Sequence, residues 1–288
     1  MSVLRWIAAV ALSVLAITSL AAQQPTFSTK RETVRIDALV TDRGRPVRDL
    51  HAEDFEILDS GVPQQVEFAS FEELPLTIVL ALDVSASIDA ERLEHLRDGG
   101  RAVLENLKQA DQVSLLTFAD AVLLRERLTG AGDRIRSALE ALQPSQRSPG
   151  GTALVDACYL ATRVLDDDPG RALLIVFTDG VDTSSWLTAP RVLDVVKRSN
   201  VVVYAVSTAT LPKGSFLRDL AETTGGDAIQ IRSSAALRPA FVRILDEFRL
   251  RYLVSFSPSN VPAAGWHPLT VRVKNQRVDI RARAGYIR

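Results

Sequence analysis

Five oxygen-bearing side chains stand in a pattern that can hold a hard cation. Asp83, Ser85 and Ser87 occupy alternate positions directly after an apolar run at 76–82, and a helical pattern follows them. Oxygens at alternate positions of a strand-to-helix turn can converge on one point, and open α/β sheets bind ligands beyond the carboxyl ends of their strands. One carboxylate and two neutral hydroxyls suit Mg²⁺, which takes six oxygens at about 2.1 Å and usually keeps several waters. Alone, D-x-S-x-S also fits an ordinary helix N-cap. Its company makes it a candidate metal site. Gly150-Gly151-Thr152 opens a second helical pattern, and Thr178-Asp179-Gly180 ends the apolar run at 173–177. Asp179 is therefore expected at the same sheet edge as Asp83.

Other residues near these loops carry weaker signals. Asp182 and Thr183 follow Asp179 closely and are candidates for a recognition rim, as is Asp120 after the apolar run at 113–118. Asp120 suits a turn equally well. Asp156, one helical turn beyond Thr152, reads as a carboxylate favoured by the positive end of a helix. Trp186 is the large aromatic expected near the metal face; exposed it would anchor a partner, buried it would be core.

Positioning these loops requires a sheet. Apolar runs at 76–82, 113–118, 122–128, 173–177 and 201–206 are separated largely by helical patterns. Leu93, Leu96, Gly100, Val103, Leu104 and Leu107 fall at helical spacing, as do Leu237, Phe241, Ile244, Leu245 and Phe248. The runs at 76–82, 173–177 and 201–206 lack internal charge, as strands covered on both faces do. Alternating strands and helices predict an α/β fold, a doubly wound and mostly parallel sheet. The run at 122–128 follows Phe118 too closely for a crossover helix, which predicts one antiparallel edge strand.

Both flanks read as β structure. Val34, Ile36, Ala38 and Val40 alternate with Arg35, Asp37, Leu39 and Thr41, and shorter strands are expected at 55–58 and 66–71. After residue 251, Leu269, Val271 and Val273 alternate with polar residues, and so do Val278, Ile280, Ala282 and Ala284. The arginines among them, Arg272, Arg281 and Arg283, read as the solvated face of edge strands. Neither flank is large enough to bury a core alone, so the two are expected to pack together as a small β-sandwich-like module. The predicted organisation is a signal peptide at 1–22, a β segment at 27–73, an α/β domain at 74–250 and a β segment at 251–288.

Composition excludes other chemistries. The 288 residues carry 34 Lys+Arg against 35 Asp+Glu, a net charge of −1, which argues against nucleic acid as a partner. One cysteine and three histidines leave no material for a disulfide framework, a cysteine-rich zinc site or an iron–sulfur cluster. Cys158 falls on the apolar face of its helical pattern and reads as a buried small hydrophobe. Residues 6–20 form an apolar run after Arg5, with small residues following, as in an export signal. The mature chain is then expected in the periplasm or outside the cell, with no membrane span after signal removal.

These loops make the chain recognisable by its motifs. Asp83, Ser85, Ser87, Thr152 and Asp179 match the metal-ion-dependent adhesion site (MIDAS) of the von Willebrand factor A domain family, and 74–250 resembles that domain. Asp54-Phe55 with Asp59-Ser60-Gly61, and Arg283-Ala284-Gly285-Tyr286, look like the flanks of bacterial exported proteins related to it. The resemblance implies a Mg²⁺ site (Mn²⁺ or Ca²⁺ being alternatives) in which both serines bind the metal directly. It also implies a partner protein whose Asp or Glu carboxylate supplies a further oxygen, and no enzyme activity. Two alternatives are a metal-assisted hydrolase and an envelope component with a purely structural metal. Against the hydrolase, no histidine is expected near Asp83, and neither G-x-S-x-G nor G-x-x-x-x-G-K-[ST] occurs.

Overall fold

A computed structural model describes residues 32–71, 74–146, 150–166 and 170–288. The predicted export signal lies outside the described residues. In chain order the N-terminal strands are β1 (Val34–Asp42), β2 (Arg45–Pro46), β3 (Phe55–Asp59), β4 (Val62–Gln64) and β5 (Val66–Ser70). The α/β part follows with β6 (Leu76–Asp83), α1 (Ala90–Glu105), β7 (Gln112–Phe118), β8 (Val122–Thr129), α2 (Gly132–Glu140) and α3 (Leu154–Asp166). It continues with β9 (Arg171–Thr178), α4 (Ala189–Val196), β10 (Val202–Ser207), α5 (Phe216–Thr224), β11 (Asp227–Gln230) and α6 (Leu237–Arg249). The C-terminal strands are β12 (Tyr252–Phe256), β13 (Trp266–Val273), β14 (Asp279–Arg281) and β15 (Gly285–Ile287).

Six strands form the central sheet in the order β11-β10-β9-β6-β7-β8. Its neighbours are parallel except β8, which runs antiparallel to β7. The strand alternation sorts side chains onto two faces. Ile78, Leu80 and Leu82 pack with α1, α2 and α6 through Leu96, Leu139, Phe241 and Phe248. Val79 and Ala81 pack on the other face with α3, α4 and α5 through Ala157, Cys158, Val192 and Leu220. Cys158 is fully buried there, and burial pushes its thiol pKa up. Because β6 and β9 are neighbours in parallel register, with Leu82 opposite Phe177, Asp83 and the loop after Thr178 emerge at one edge.

The flanking strands pair across the chain. β1 lies antiparallel between β12 and β14, and β12 also pairs with β5. β13 pairs with β3 and β15, and β3 with β4. Between these two sheets lies a core of Ile36, Ala38, Phe55, Ile57, Tyr252, Val254, Phe256 and Tyr286. The hairpin β3–β4 turns at Ser60 and Gly61, both at positive φ, as tight hairpin turns require. At the other end of the α/β part, Gly225 closes α5 in the left-handed conformation. A Cβ there would press on the backbone of Ala282.

One expectation for the arginines fails. Arg272 does sit at the surface, paired with Glu56, but Arg283 is buried. It donates to the carbonyl oxygens of Gly285 and Lys197 and to Asn200 Oδ1. Burial pushes its guanidinium down to about 10. Alternation along a strand says which face a side chain takes, but not that the loop after α4 covers that face.

Candidate metal centre

The site begins at the carboxyl end of β6, where Asp83 is fully buried. Its Oδ1 accepts from the Ser85 backbone N–H at 2.9 Å, and its Oδ2 accepts from the Thr178 hydroxyl at 2.6 Å. Burial raises its carboxyl pKa, and these hydrogen bonds and the nearby Asp179 charge modify that effect without reversing it. A buried carboxylate held in this way is better off with a cation beside it.

The turn after Asp83 brings three of the other predicted residues together. The Ser85 and Ser87 hydroxyls are 3.1 Å apart, and Ser87 Oγ donates to Asp179 Oδ1 at 2.8 Å. Two backbone bonds fix this turn: Val84 N–H donates to Phe118 O at the end of β7, and Ser145 N–H donates to Val84 O. Thr152 is held through the backbone of its loop, against the ends of the β7–β8 and β9–α4 connections rather than by a bond to the other four. Ala153 N–H donates to Ala119 O, and Thr152 O accepts from the N–H groups of Thr183 and Ser184. Thr152 N–H in turn donates to the Thr183 hydroxyl. Gly151 permits this close approach, since a Cβ there would lie 2.7 Å from Ser184 Oγ.

The loop between β9 and α4 is also tied to α3. Asp182 Oδ1 accepts from Val155 N–H, and Ser185 Oγ accepts from Asp156 N–H, so remote side chains cap the start of α3. Asp156 returns the bond, its two oxygens accepting from the N–H groups of Trp186 and Leu187, each at 2.9 Å. Asp156 therefore does more than complement a helix end; it fixes the loop that carries Trp186. Trp186 is 94% exposed and Val181 70%. Asp120 sits in the turn between β7 and β8.

Sequence reasoning missed Arg92. This residue, in the first turn of α1, donates through Nη1 to Ser87 O and to Asp179 Oδ2, both at 2.9 Å. Asp89, the N-cap of α1, accepts from Arg92 N–H and so sets the arginine's position.

The donor set suits a hard dication. It offers hydroxyls and two carboxylates, and among the described residues no three His, Cys, Asp or Glu side chains gather into a cage of their own. His95 is bonded to Ser234 and His267 to Asp59, so neither belongs to this set.

Residues 77–241, more than half of the chain, match the family model of the von Willebrand factor type A domain. The chain belongs to the von Willebrand factor type A family. Inter-alpha-trypsin inhibitor heavy chain H4 from Homo sapiens is 26% identical over 127 residues, which is 41% of this chain and 14% of that protein. This von Willebrand factor type A chain thus spans a small part of that relative's length. It is similar in fold to proximal thread matrix protein 1 from the mussel byssus, solved with a zinc-occupied MIDAS motif. The TM-score is 0.56 at 18% identity, covering 66% of this chain and 49% of that one. An aerotolerance-related membrane protein from Bacteroides fragilis NCTC 9343 gives 0.49 at 19% identity over 60% of this chain and 99% of its own. The family is one of protein-interaction and adhesion modules, and it gives the central sheet its Rossmann-like α/β character.

Proposed function

We propose that this chain is an exported, non-enzymatic binding module that holds a divalent cation at Asp83, Ser85, Ser87, Thr152 and Asp179 and captures an acidic side chain of a partner protein. The observation that carries this reading is the hydrogen-bonded run from Ser85 through Ser87 to Asp179 beside the buried Asp83. Mg²⁺ fits the oxygen donors best, and the zinc in the mussel protein's MIDAS motif favours a divalent ion in this family's site. A bound dication supplies a coordination position for an anionic oxygen. The protein's own part is to neutralise that ion with two aspartates and orient it with uncharged hydroxyls. Trp186 and Val181, with Asp182, Thr183 and Asp120, form the rim on which a partner rests. The division into 27–73, 74–250 and 251–288 belongs to the same proposal, the outer two segments making one accessory module. No helix among the described residues is long and apolar enough to cross a membrane.

Calorimetric titration of Mg²⁺ and Mn²⁺ into the full chain tests the site. Asp83→Asn is expected to abolish binding while Asp279→Asn, in a distant strand, leaves it intact. Retention on a surface bearing Glu-containing peptides should require the metal and be lost with EDTA. Equal metal affinity in wild type and Asp83→Asn would show the assignment to be wrong.

A further inference from the structure

Asp179 meets a positive charge that belongs to the protein itself. Both of its carboxylate oxygens are engaged, Oδ1 by the Ser87 hydroxyl and Oδ2 by the Arg92 guanidinium. The Asp179 side chain is only 7% exposed and that of Arg92 44%, so this pair is less screened than an ordinary surface salt bridge. Arg92 is also not free to drift. Its backbone is fixed by the Asp89 cap, and the same Nη1 that meets Asp179 donates to Ser87 O. One guanidinium thereby ties together the start of α1, the serine turn and the loop after β9.

Two consequences follow from elementary electrostatics. A carboxylate oxygen already bonded to a guanidinium gives up a charge-assisted hydrogen bond before it can ligate a metal directly. A fixed positive charge beside the site also repels a dication. The geometry points to Arg92 as an internal competitor of the divalent cation: it withholds Asp179 from direct coordination, keeps Asp179 as the anchor of Ser87, and lowers the affinity of the site for metal. The same charge leaves a loaded site with two carboxylates against three positive charges, so it favours an acidic partner. Arg92 thus trades metal affinity for attraction of an anion. This inference rests on the metal-site reading given above.

The test uses the full chain with Mn²⁺ alone as probe, followed by calorimetry. Arg92→Gln is expected to bind Mn²⁺ about tenfold more tightly than wild type, and Arg92→Lys, which keeps the charge, to lie closer to wild type. Thermal melts in EDTA check that both variants fold; if Arg92→Gln does not, Arg92→Ala takes its place, with the same gain in Mn²⁺ affinity expected. Arg92→Gln binding no more tightly than wild type, while Asp83→Asn binds no Mn²⁺, would overturn the role of Arg92 and leave the site standing. Asp83→Asn binding Mn²⁺ as wild type does would overturn both.

Discussion

Asp83 illustrates how one residue can be expensive for the fold. It lies fully buried at the end of an apolar strand, and burial raises its pKa despite the bonds from Ser85 and Thr178. A charge kept in that position costs stability, as residues retained for function often do. Asp83→Asn, with the same shape, is therefore expected to lose metal binding yet melt about 2–4 °C above wild type in EDTA, equivalent to about 1 kcal/mol. A lower melting temperature in a calorimetric scan would mean that Asp83 is structural. Trp186 is the opposite case. At 94% exposure it contributes little packing, so Trp186→Ala should change unfolding stability by less than about 0.5 kcal/mol. Denaturant melts check this, and a larger loss would make the residue part of the core. The five ligand candidates were legible because their types and spacing survive in one dimension. Arg92 was not, because its partner Asp179 is 87 residues away and arginine in a first helical turn is unremarkable.

Between elements, the loop from β9 to α4 and the start of α3 hold each other through carboxylates. Asp156→Ala would release the amides of Trp186 and Leu187. Hydrogen exchange at those two positions should accelerate at least about tenfold while the central strands keep their protection; unchanged exchange would show that other contacts fix the loop. A second carboxylate organises the opposite end of the sheet. Asp111, buried before β7, accepts from Leu76 N–H and Lys108 N–H and pairs with Arg249 of α6. Burial works against its charged form, but Arg249 and the two amides outweigh it, and its pKa is lowered. A depressed carboxylate stabilises the fold fully above its unfolded value near 3.8 and stops doing so as pH falls through the folded value. Asp111→Asn should thus cost about 3 kcal/mol at pH 7, with the gap to wild type closing below pH 3.8. Denaturant melts at both pH values measure it, and a gap independent of pH would refute the ionic origin.

Across the whole molecule, buried arginines join the flanking sheets to the α/β part. Arg171, at the start of β9, pairs with Asp37 of β1 and stacks on Phe248 of α6. Arg251 donates to Asp37 O, Tyr204 OH and Gly225 O, linking β1 and β10. Asp37→Ala leaves Arg171 buried without its counter-charge, an arrangement that costs about 3–5 kcal/mol. Because the charge lies between the two parts, the loss should lower one common unfolding transition. Separate transitions by tryptophan fluorescence and far-UV dichroism would show instead that the two parts unfold independently.

Local pattern by itself placed many of the strands and helices and picked out the candidate oxygen ligands. Apolar alternation, helical spacing and turn residues act over a few positions and can be read without knowing the neighbours. It also determined that β8 turns back on β7, since the connection is too short for a crossover. Tertiary structure alone decided which surfaces meet. The pairing of β1 with β12 spans more than 200 residues, and neither strand specifies its partner. Arg283 became buried and Arg92 reached Asp179 for the same reason. A side chain's charge is written in the sequence, but the dielectric around it and the charge opposite it come from chain segments that only folding brings together.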